Sequence, residues 1–410
     1  MNNKSYGNFY PMLLFARSIG ERHRLVNYLN DIGEMELQRH LQVITPHKGA
    51  VTSIQIDNIE ERFLLSGSAD SSISLHDLSR RGRSQISPYN NISQIDPSSY
   101  HQEVTRFEPI AQSIRSSTAH MSSVVRAEWY PFDSGAFVSA STDGSVIVWD
   151  TDAFQPIVRW RPFQSISAFH LSKSIGRSES MLAIGSNDDC TIRILDLRSG
   201  ASSQTLTGHT RSVTSVQWCP TSDVVLASGS RDGTVRLWDI RRAGPRSNFV
   251  VLDHEQTSPL PLKPFQADYG HLRDQSKQYK ASINASRLSH TEPVSGISFT
   301  SDGQTLVSIS KRQFNMWDLR SRGNLVLRHF QRATQIPFLL IDRYVWISYD
   351  DFRIACFSLE LGGSPIQLLE GHLGSIKALE SSKQHRMLIS GGADGMILVW
   401  GQKRPTPYSF

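Results

Sequence analysis

One spacing recurs along this chain and leaves few folds open to it. His209 stands 23 positions before Asp232, and Asp232 stands six before Trp238; His120, Asp143 and Trp149 repeat both intervals. His372, Asp394 and Trp400 give 22 and six, and His47 and Asp70 give 23, with His76 six further on. Between these landmarks apolar residues alternate, as in Val213, Val216 and Trp218, and again over 224–227 and 235–238. Such period-2 runs are short strands, and Arg231-Asp232-Gly233 supplies a hairpin turn from residues that tolerate left-handed backbone. A unit of about 40–45 residues copied in tandem buries its faces only against its own copies.

The spacing brings particular side chains to one end of each unit. His209 enters the first strand from the rim that holds the Asp232 turn, so His209, Ser228, Asp232 and Trp238 can meet in one hydrogen-bonded network. The same sets are His120, Ser139, Asp143 and Trp149, and His372, Ser390, Asp394 and Trp400. A buried network of this kind stabilises only when every member finds a partner. Its repetition argues for scaffold and against a nucleophilic Ser-His-Asp triad.

The pattern resembles the WD-repeat family over roughly residues 41–401, and the resemblance implies an all-β, seven-bladed WD40 β-propeller with the three sets as structural tetrads. The first blade ends at His76-Asp77 in place of Trp-Asp. The third is degenerate, with Gly185 read in place of the serine and Leu195-Asp196 at its end. The fifth keeps His290 and Trp317-Asp318, but its turn, Ser310-Lys311-Arg312, lacks the aspartate. The sixth rests on alternation alone over 338–341, 344–348 and 354–357. The seventh lacks a fourth strand, which residues 41–45 can supply, closing the ring and removing its edges.

Composition sets limits. The 410 residues are 39% hydrophobic with a net charge of +5 and a pI near 9.1. Repetition, rather than two globular domains, accounts for that length. Arg22-His23-Arg24, Arg80-Arg81-Gly82-Arg83 and Arg241-Arg242 are short clusters without aromatic interleaving, so they read as solvated faces and direct nucleic-acid binding is not expected. Three widely spaced cysteines point to a reducing compartment. No apolar run approaches the roughly 20 residues of a membrane span, and the apolar stretch 9–16 contains Pro11 and lacks a signal-peptide cleavage site. Phosphate-loop, His-Glu-x-x-His, Gly-x-Ser-x-Gly and Cys-x-x-Cys patterns are absent, so no catalytic residue, metal or cofactor is expected.

Three departures from regular repetition carry the functional signal. Residues 1–40 form an arm in which Met12, Leu13 and Phe15 precede a spacing of three and four at Leu25, Val26, Leu29 and Ile32. That spacing predicts an amphipathic helix ending at Gly33, with a second short helix over 34–40. Arginine follows the blade-ending aspartate by two positions at Arg198, Arg241 and Arg320, on the rim opposite the Asp-Gly turns, where guanidinium groups suit carboxylate or carbonyl acceptors. Insertions at about 79–118 and 254–288 are rich in Ser, Gln and Pro and are expected to be solvated loops near the tetrad-bearing face, with Ser87-Pro88 and Ser258-Pro259 as candidate phosphorylation sites. A short tail follows over 402–410.

Trp-Asp-x-Arg, the arm, and the segments 12–17, 129–135, 238–243 and 296–303 narrow the resemblance to WD-repeat substrate receptors of cullin-4 ubiquitin ligases. The resemblance implies that Met12, Leu13, Phe15, Leu25 and Leu29, with Arg198, Arg241 and Arg320 beneath, face the propeller adaptor that links to cullin-4 and its RING subunit. It further implies a nuclear role in transcription-coupled nucleotide excision repair, with a repair translocase and stalled RNA polymerase II as clients. A WD-repeat scaffold of chromatin or ribosome assembly, without ligase attachment, is the alternative.

Overall fold

The computed structural model describes residues 35–79, 82–83, 104–116, 118–172, 180–242, 248–252, 289–311, 313–319, 324–329, 333–341, 344–349, 352–358, 365–382 and 386–402. Seven antiparallel-based sheets follow one another around a ring. Blade 1 comprises Val51–Ile56, Phe63–Ser68, Ile73–Asp77 and Pro109–Ser113. Blade 2 comprises Val124–Trp129, Ala136–Ser141, Val146–Asp150 and Gln155–Trp160. Blade 3 holds Ile166–Leu171, Met181–Ser186, Ile192–Asp196 and Ser202–Leu206. Blade 4 holds Val213–Trp218, Val225–Ser230, Val235–Asp239 and Asn248–Leu252. Blade 5 holds Val294–Phe299, Thr305–Ser310, Gln313–Asp318 and Asn324–His329. Blade 6, legible only as alternation, is built from Ala333–Ile341, Tyr344–Tyr349, Arg353–Ser358 and Gln367–Glu370.

The core lies between blades. Leu65, Ile73 and Leu75 of blade 1 pack on Trp129, Phe137 and Trp149 of blade 2, and equivalent layers join every neighbouring pair around the ring. Polar side chains tie the same layers together. In six of the blades a bulge near the start of the first strand inserts an extra residue, and at Thr52 and Thr214 its hydroxyl donates to Val124 O and Val294 O of the next blade, both at 2.6 Å. Further along, Gln55 Oε1 accepts from Trp129 N (2.6 Å), Glu128 Oε2 from Leu171 N (2.7 Å) and Gln217 Oε1 from Phe299 N (2.8 Å). These bonds complete first-strand groups that have no partner within their own blade.

Blade 7 differs from the expectation in two ways. Ile376–Ser382, Met387–Gly392 and Ile397–Gln402 are joined by Leu41–Val43, as expected, through Val43 opposite Ile397. The second helix expected over 34–40 is not found in its described part, residues 35–40: Met35–Leu37 is a strand paired with Ile397–Gln402, with Leu37 opposite Trp400. Met35 and Leu37 face inward while Glu36 is exposed, a period of two that sheet pairing rewards over local helix preference. Nor is the 79–118 insertion wholly loop. Thr105–Phe107 pairs parallel with Leu41–Val43, Gly82–Arg83 adds outside it, and Pro109–Ser113 is the fourth strand of blade 1. The closing sheet therefore has seven strands. Because this insertion leaves after Asp77, it departs from the rim opposite the tetrad turns, correcting the expected placement. Among the described residues no helix is long and apolar enough to cross a membrane. The arm residues Met12, Leu13, Phe15, Leu25 and Leu29, as well as Arg320, residues 253–288 and the tail beyond 402, lie outside the described residues.

Candidate functional site

The tetrads form as dense polar knots under one face of the ring. In blade 4, Trp238 Nε1 donates to Ser228 Oγ (2.8 Å), Ser228 Oγ lies 2.7 Å from His209 Nε2, and His209 Nδ1 lies 3.0 Å from Asp232 Oδ2. The carboxylate can only accept, so the Nδ1 proton goes to Asp232; in the neutral imidazole that burial favours, Nε2 then accepts the Ser228 proton. Blade 7 repeats this through Trp400, Ser390, His372 and Asp394. Blade 2 interposes a hydroxyl: Trp149 and His120 meet Ser139 Oγ at 2.7 and 2.6 Å, and Ser145 bridges His120 Nδ1 (2.8 Å) to Asp143. Ser139, Ser228 and Ser390 are all fully buried, so none meets a substrate.

Burial sets the charge states. Desolvation pulls His47 and His120 down to about 4, outweighing the pull of Asp70 and Asp143 in the other direction. His209 and His372 are lowered for the same reason. Asp70, Asp143 and Asp394 stay below the usual carboxylate range despite desolvation, because backbone N–H donors stabilise the ionised form, joined by serine hydroxyls at Asp70 and Asp143 and by His372 at Asp394.

The structure also reveals substitutes that the spacing concealed. In blade 1, His76 turns its Nε2 toward Ile44 O (3.0 Å), and Ser74 takes the indole's place against Ser66 Oγ at 2.8 Å. In blade 5, Gln313 Oε1 accepts from Thr291 N (3.1 Å), the bond that an aspartate makes elsewhere. In blade 3 the register assigns the serine position to Ile184, opposite Phe169, and not to Gly185. Gly185 instead aligns with Gly67, Gly229 and Gly391: a Cβ there would lie 2.9 Å from Val213 of the next blade, as one on Gly229 would lie 2.6 Å from Val294. These glycines serve the approach of neighbouring blades.

One consequence of the knots reaches the surface. The aspartate (or Gln313) accepts the backbone N–H of the residue after each tetrad histidine, namely Lys48, Met121, Thr210, Thr291 and Leu373. With their N–H groups pinned inward, the side chains of all five are exposed on the tetrad-bearing face.

The opposite rim holds the blade-ending aspartates. Arg241 closes a fork on its own Asp239, Nε to Oδ1 at 2.9 Å and Nη2 to Oδ2 at 2.7 Å, and Arg242 Nε stands 3.7 Å from the same carboxylate. Arg241 thus serves its turn first, its half-exposed guanidinium engaged by the buried Asp239 carboxylate. Arg198 is exposed and bonds Asp196 through its backbone N–H, leaving its guanidinium to solvent. Two apolar side chains missed in the sequence share this rim, Ile59 in blade 1 and Phe132 in blade 2, both about half exposed. Among the described residues no group of His, Cys, Asp and Glu is arranged to hold a metal, and burial pushes the Cys356 thiol up to about 12.

Comparison with known proteins matches this geometry. The WD domain, G-beta repeat family matches residues 38–77, 111–150, 200–239, 283–318 and 363–401. The WD repeat-containing protein ATCSA-1 of Arabidopsis thaliana is 28% identical, covering 89% of this chain and 88% of the relative. Radiation-sensitive protein 28 of Saccharomyces cerevisiae is 26% identical over 48% of this chain and 38% of its own length. The ribosome biogenesis protein YTM1 of Saccharomyces cerevisiae is 28% identical over 50% of this chain and 46% of its own length.

Proposed function

We propose that this seven-bladed β-propeller of WD40 repeats is the non-catalytic substrate receptor of a cullin-4 RING ubiquitin ligase, similar to the Cockayne syndrome group A protein. In this reading it acts in the nucleus, in transcription-coupled nucleotide excision repair. Residues 1–34 and the rim carrying Ile59, Phe132, Arg198 and Arg241 hold the propeller adaptor, which connects to cullin-4 and its RING subunit. The tetrad-bearing face presents proteins of the stalled RNA polymerase II complex, the repair translocase among them. The observation that carries the reading is likeness to ATCSA-1 along nearly the whole of both chains, where the other relatives described span about half of this one. No group here need touch a reacting bond, because transfer of ubiquitin depends on holding a client near the charged enzyme at high effective concentration.

Affinity purification tests this. Because Met35–Leu37 belongs to the closing sheet, the informative truncation removes residues 1–34 and leaves the propeller whole. The full chain is expected to recover adaptor and cullin-4, and the 35–410 form, at unchanged melting temperature, to lose them. Recovery of only ribosomal or histone partners by the full chain would sink the reading in favour of a scaffold role, for which the likeness to YTM1 is the supporting observation.

A further inference from the structure

The five side chains projected by the tetrads are not alike around the ring. On blades 4 and 5 they are Thr210 and Thr291; on blades 7, 1 and 2 they are Leu373, Lys48 and Met121. Leu373 is 83% exposed, the largest value among the large apolar side chains described. Met396 stands beside it, since Leu373 N and Met396 N donate to the two oxygens of the single Asp394 carboxylate at 2.9 and 3.0 Å. The blade 7 turn abuts the connector that carries Lys48: Thr45 Oγ1 donates to Gly395 O (2.6 Å), and a Cβ on Gly395 would lie 3.3 Å from Gly49 O. On the far side of Lys48, Met121 lines a hollow of about 480 Å³ with Arg159, Trp160 and Arg161. The arc therefore runs from Leu373 and Met396 through Lys48 to Met121 and the arginine-lined hollow.

Its electrostatics are one-sided. The aspartates beneath the arc, Asp70, Asp143 and Asp394, spend their oxygens on backbone and side-chain donors of their own knots. Arg159 keeps a long contact of 3.6 Å with Asp143, whereas Lys48 Nζ and the Arg161 guanidinium make no hydrogen bond or ion pair with a described residue. Cations with open valences thus alternate with large exposed apolar groups. A nucleic acid would satisfy the cations and leave Leu373, Met396 and Met121 in water; an apolar helix would leave the cations unmatched. Carboxylates spaced between large apolar side chains satisfy both.

We infer that the tetrad-bearing face over blades 7, 1 and 2 is a docking surface for an extended acidic segment of another protein, in which Asp or Glu alternates with large apolar residues. In the receptor reading this segment is the client's, and that reading supplies the biological role; the surface itself is argued from the geometry alone.

The test uses the full chain as bait for a displayed library of random twelve-residue peptides. Recovered sequences are expected to be enriched in Asp and Glu interleaved with Leu, Ile or Phe, and to bind more weakly as salt rises. For a recovered peptide, Lys48→Glu and Leu373→Ser are each expected to weaken binding at least tenfold, with melting temperature unchanged because both side chains are exposed. Replacing the peptide's acidic residues by lysine is expected to restore binding to the Lys48→Glu variant. Arg211→Glu and Thr291→Asp, on the opposite arc, are expected to leave affinity within twofold. Enrichment of basic peptides, equal loss in the opposite-arc variants, or recovery of no peptide sensitive to Lys48→Glu and Leu373→Ser would overturn the inference. Adaptor recovery by the same variants separates this outcome from the ligase assignment, since these substitutions leave residues 1–34 and the opposite rim untouched.

Discussion

Acidifying the protein from about pH 7.5 to about pH 5 should destabilise the ring, because histidines that it holds neutral become charged in the unfolded chain. His47 and His120 titrate near 4 in the folded state against 6.5 for an unperturbed imidazole, chiefly because burial removes the hydration of the cation. A folded value below the unfolded one means that the unfolded chain binds protons first. The stabilisation is therefore complete above 6.5 and declines as pH falls toward 4. At about pH 5 each histidine has forfeited about 2 kcal/mol, so the pair costs about 4 kcal/mol. With an unfolding entropy of about 2.1 cal/mol/K per residue, this corresponds to a fall in melting temperature of roughly 5 °C. His76, His209 and His372 shift in the same direction and deepen the fall. The carboxylates do not confound the measurement, because Asp70, Asp143 and Asp394, lowered from 3.8, begin to lose their contribution only below that value. Melting followed by circular dichroism across this range, at constant ionic strength, reads the effect directly. A flat melting temperature down to about pH 5, with loss confined to below about pH 4, would refute the neutral-imidazole knots.

Three further outcomes test the scaffold. Ser71 occupies the left-handed turn position (φ 75°) that glycine fills in blades 2, 4 and 7, and its buried hydroxyl finds no partner, so Ser71→Gly should stabilise by about 1 kcal/mol, read as a higher melting temperature. Gln313→Ala should cost about 1–2 kcal/mol, read as a lower urea midpoint, because Thr291 N loses its acceptor. Asp232→Ala strips acceptors from Thr210 N, Thr234 N and His209 and should cost about 2–4 kcal/mol; a melting temperature equal to that of the parent would contradict its place in the knot.

What was legible in the sequence is what chemistry writes locally. Alternation with Asp-Gly turns marks a strand pair within a few residues, so even blade 6, without a single landmark, was visible over 344–348. Contacts made across the chain were not. Met35–Leu37 looked helical because nothing near it in sequence discloses Trp400 as its neighbour, and Thr105–Phe107 looked like loop because its partner is Leu41–Val43. Gly185 lies one residue from the serine position, and the reason for a glycine there is in the next blade, against Val213. Arg241 was recognisable as an arginine in a recurrent place, yet only the fold shows its fork closed on Asp239. The functional expectation placed weight on that arginine; Arg198, with an open guanidinium, is the better candidate for meeting a partner on that rim.

The knots separate the stability of a blade from the surface that it projects. Each engages only the backbone N–H of the residue after its histidine, at 2.6 to 3.1 Å, whatever side chain that residue carries. Lysine, methionine, threonine and leucine all occupy the position in this one chain without disturbing the bond beneath. Substitution there should therefore change the surface at nearly constant stability, within about 0.5 kcal/mol. Substitution of the partner aspartate does the reverse, loosening the blade before it alters any contact outside it. Exchanging Leu373 for the threonine found on blade 4 is the sharpest form of the argument. Melting temperature should stay fixed while binding on the blade 7 arc falls. A variant that lost stability instead would show that Leu373 packs inward, and the division between knot and surface would fail.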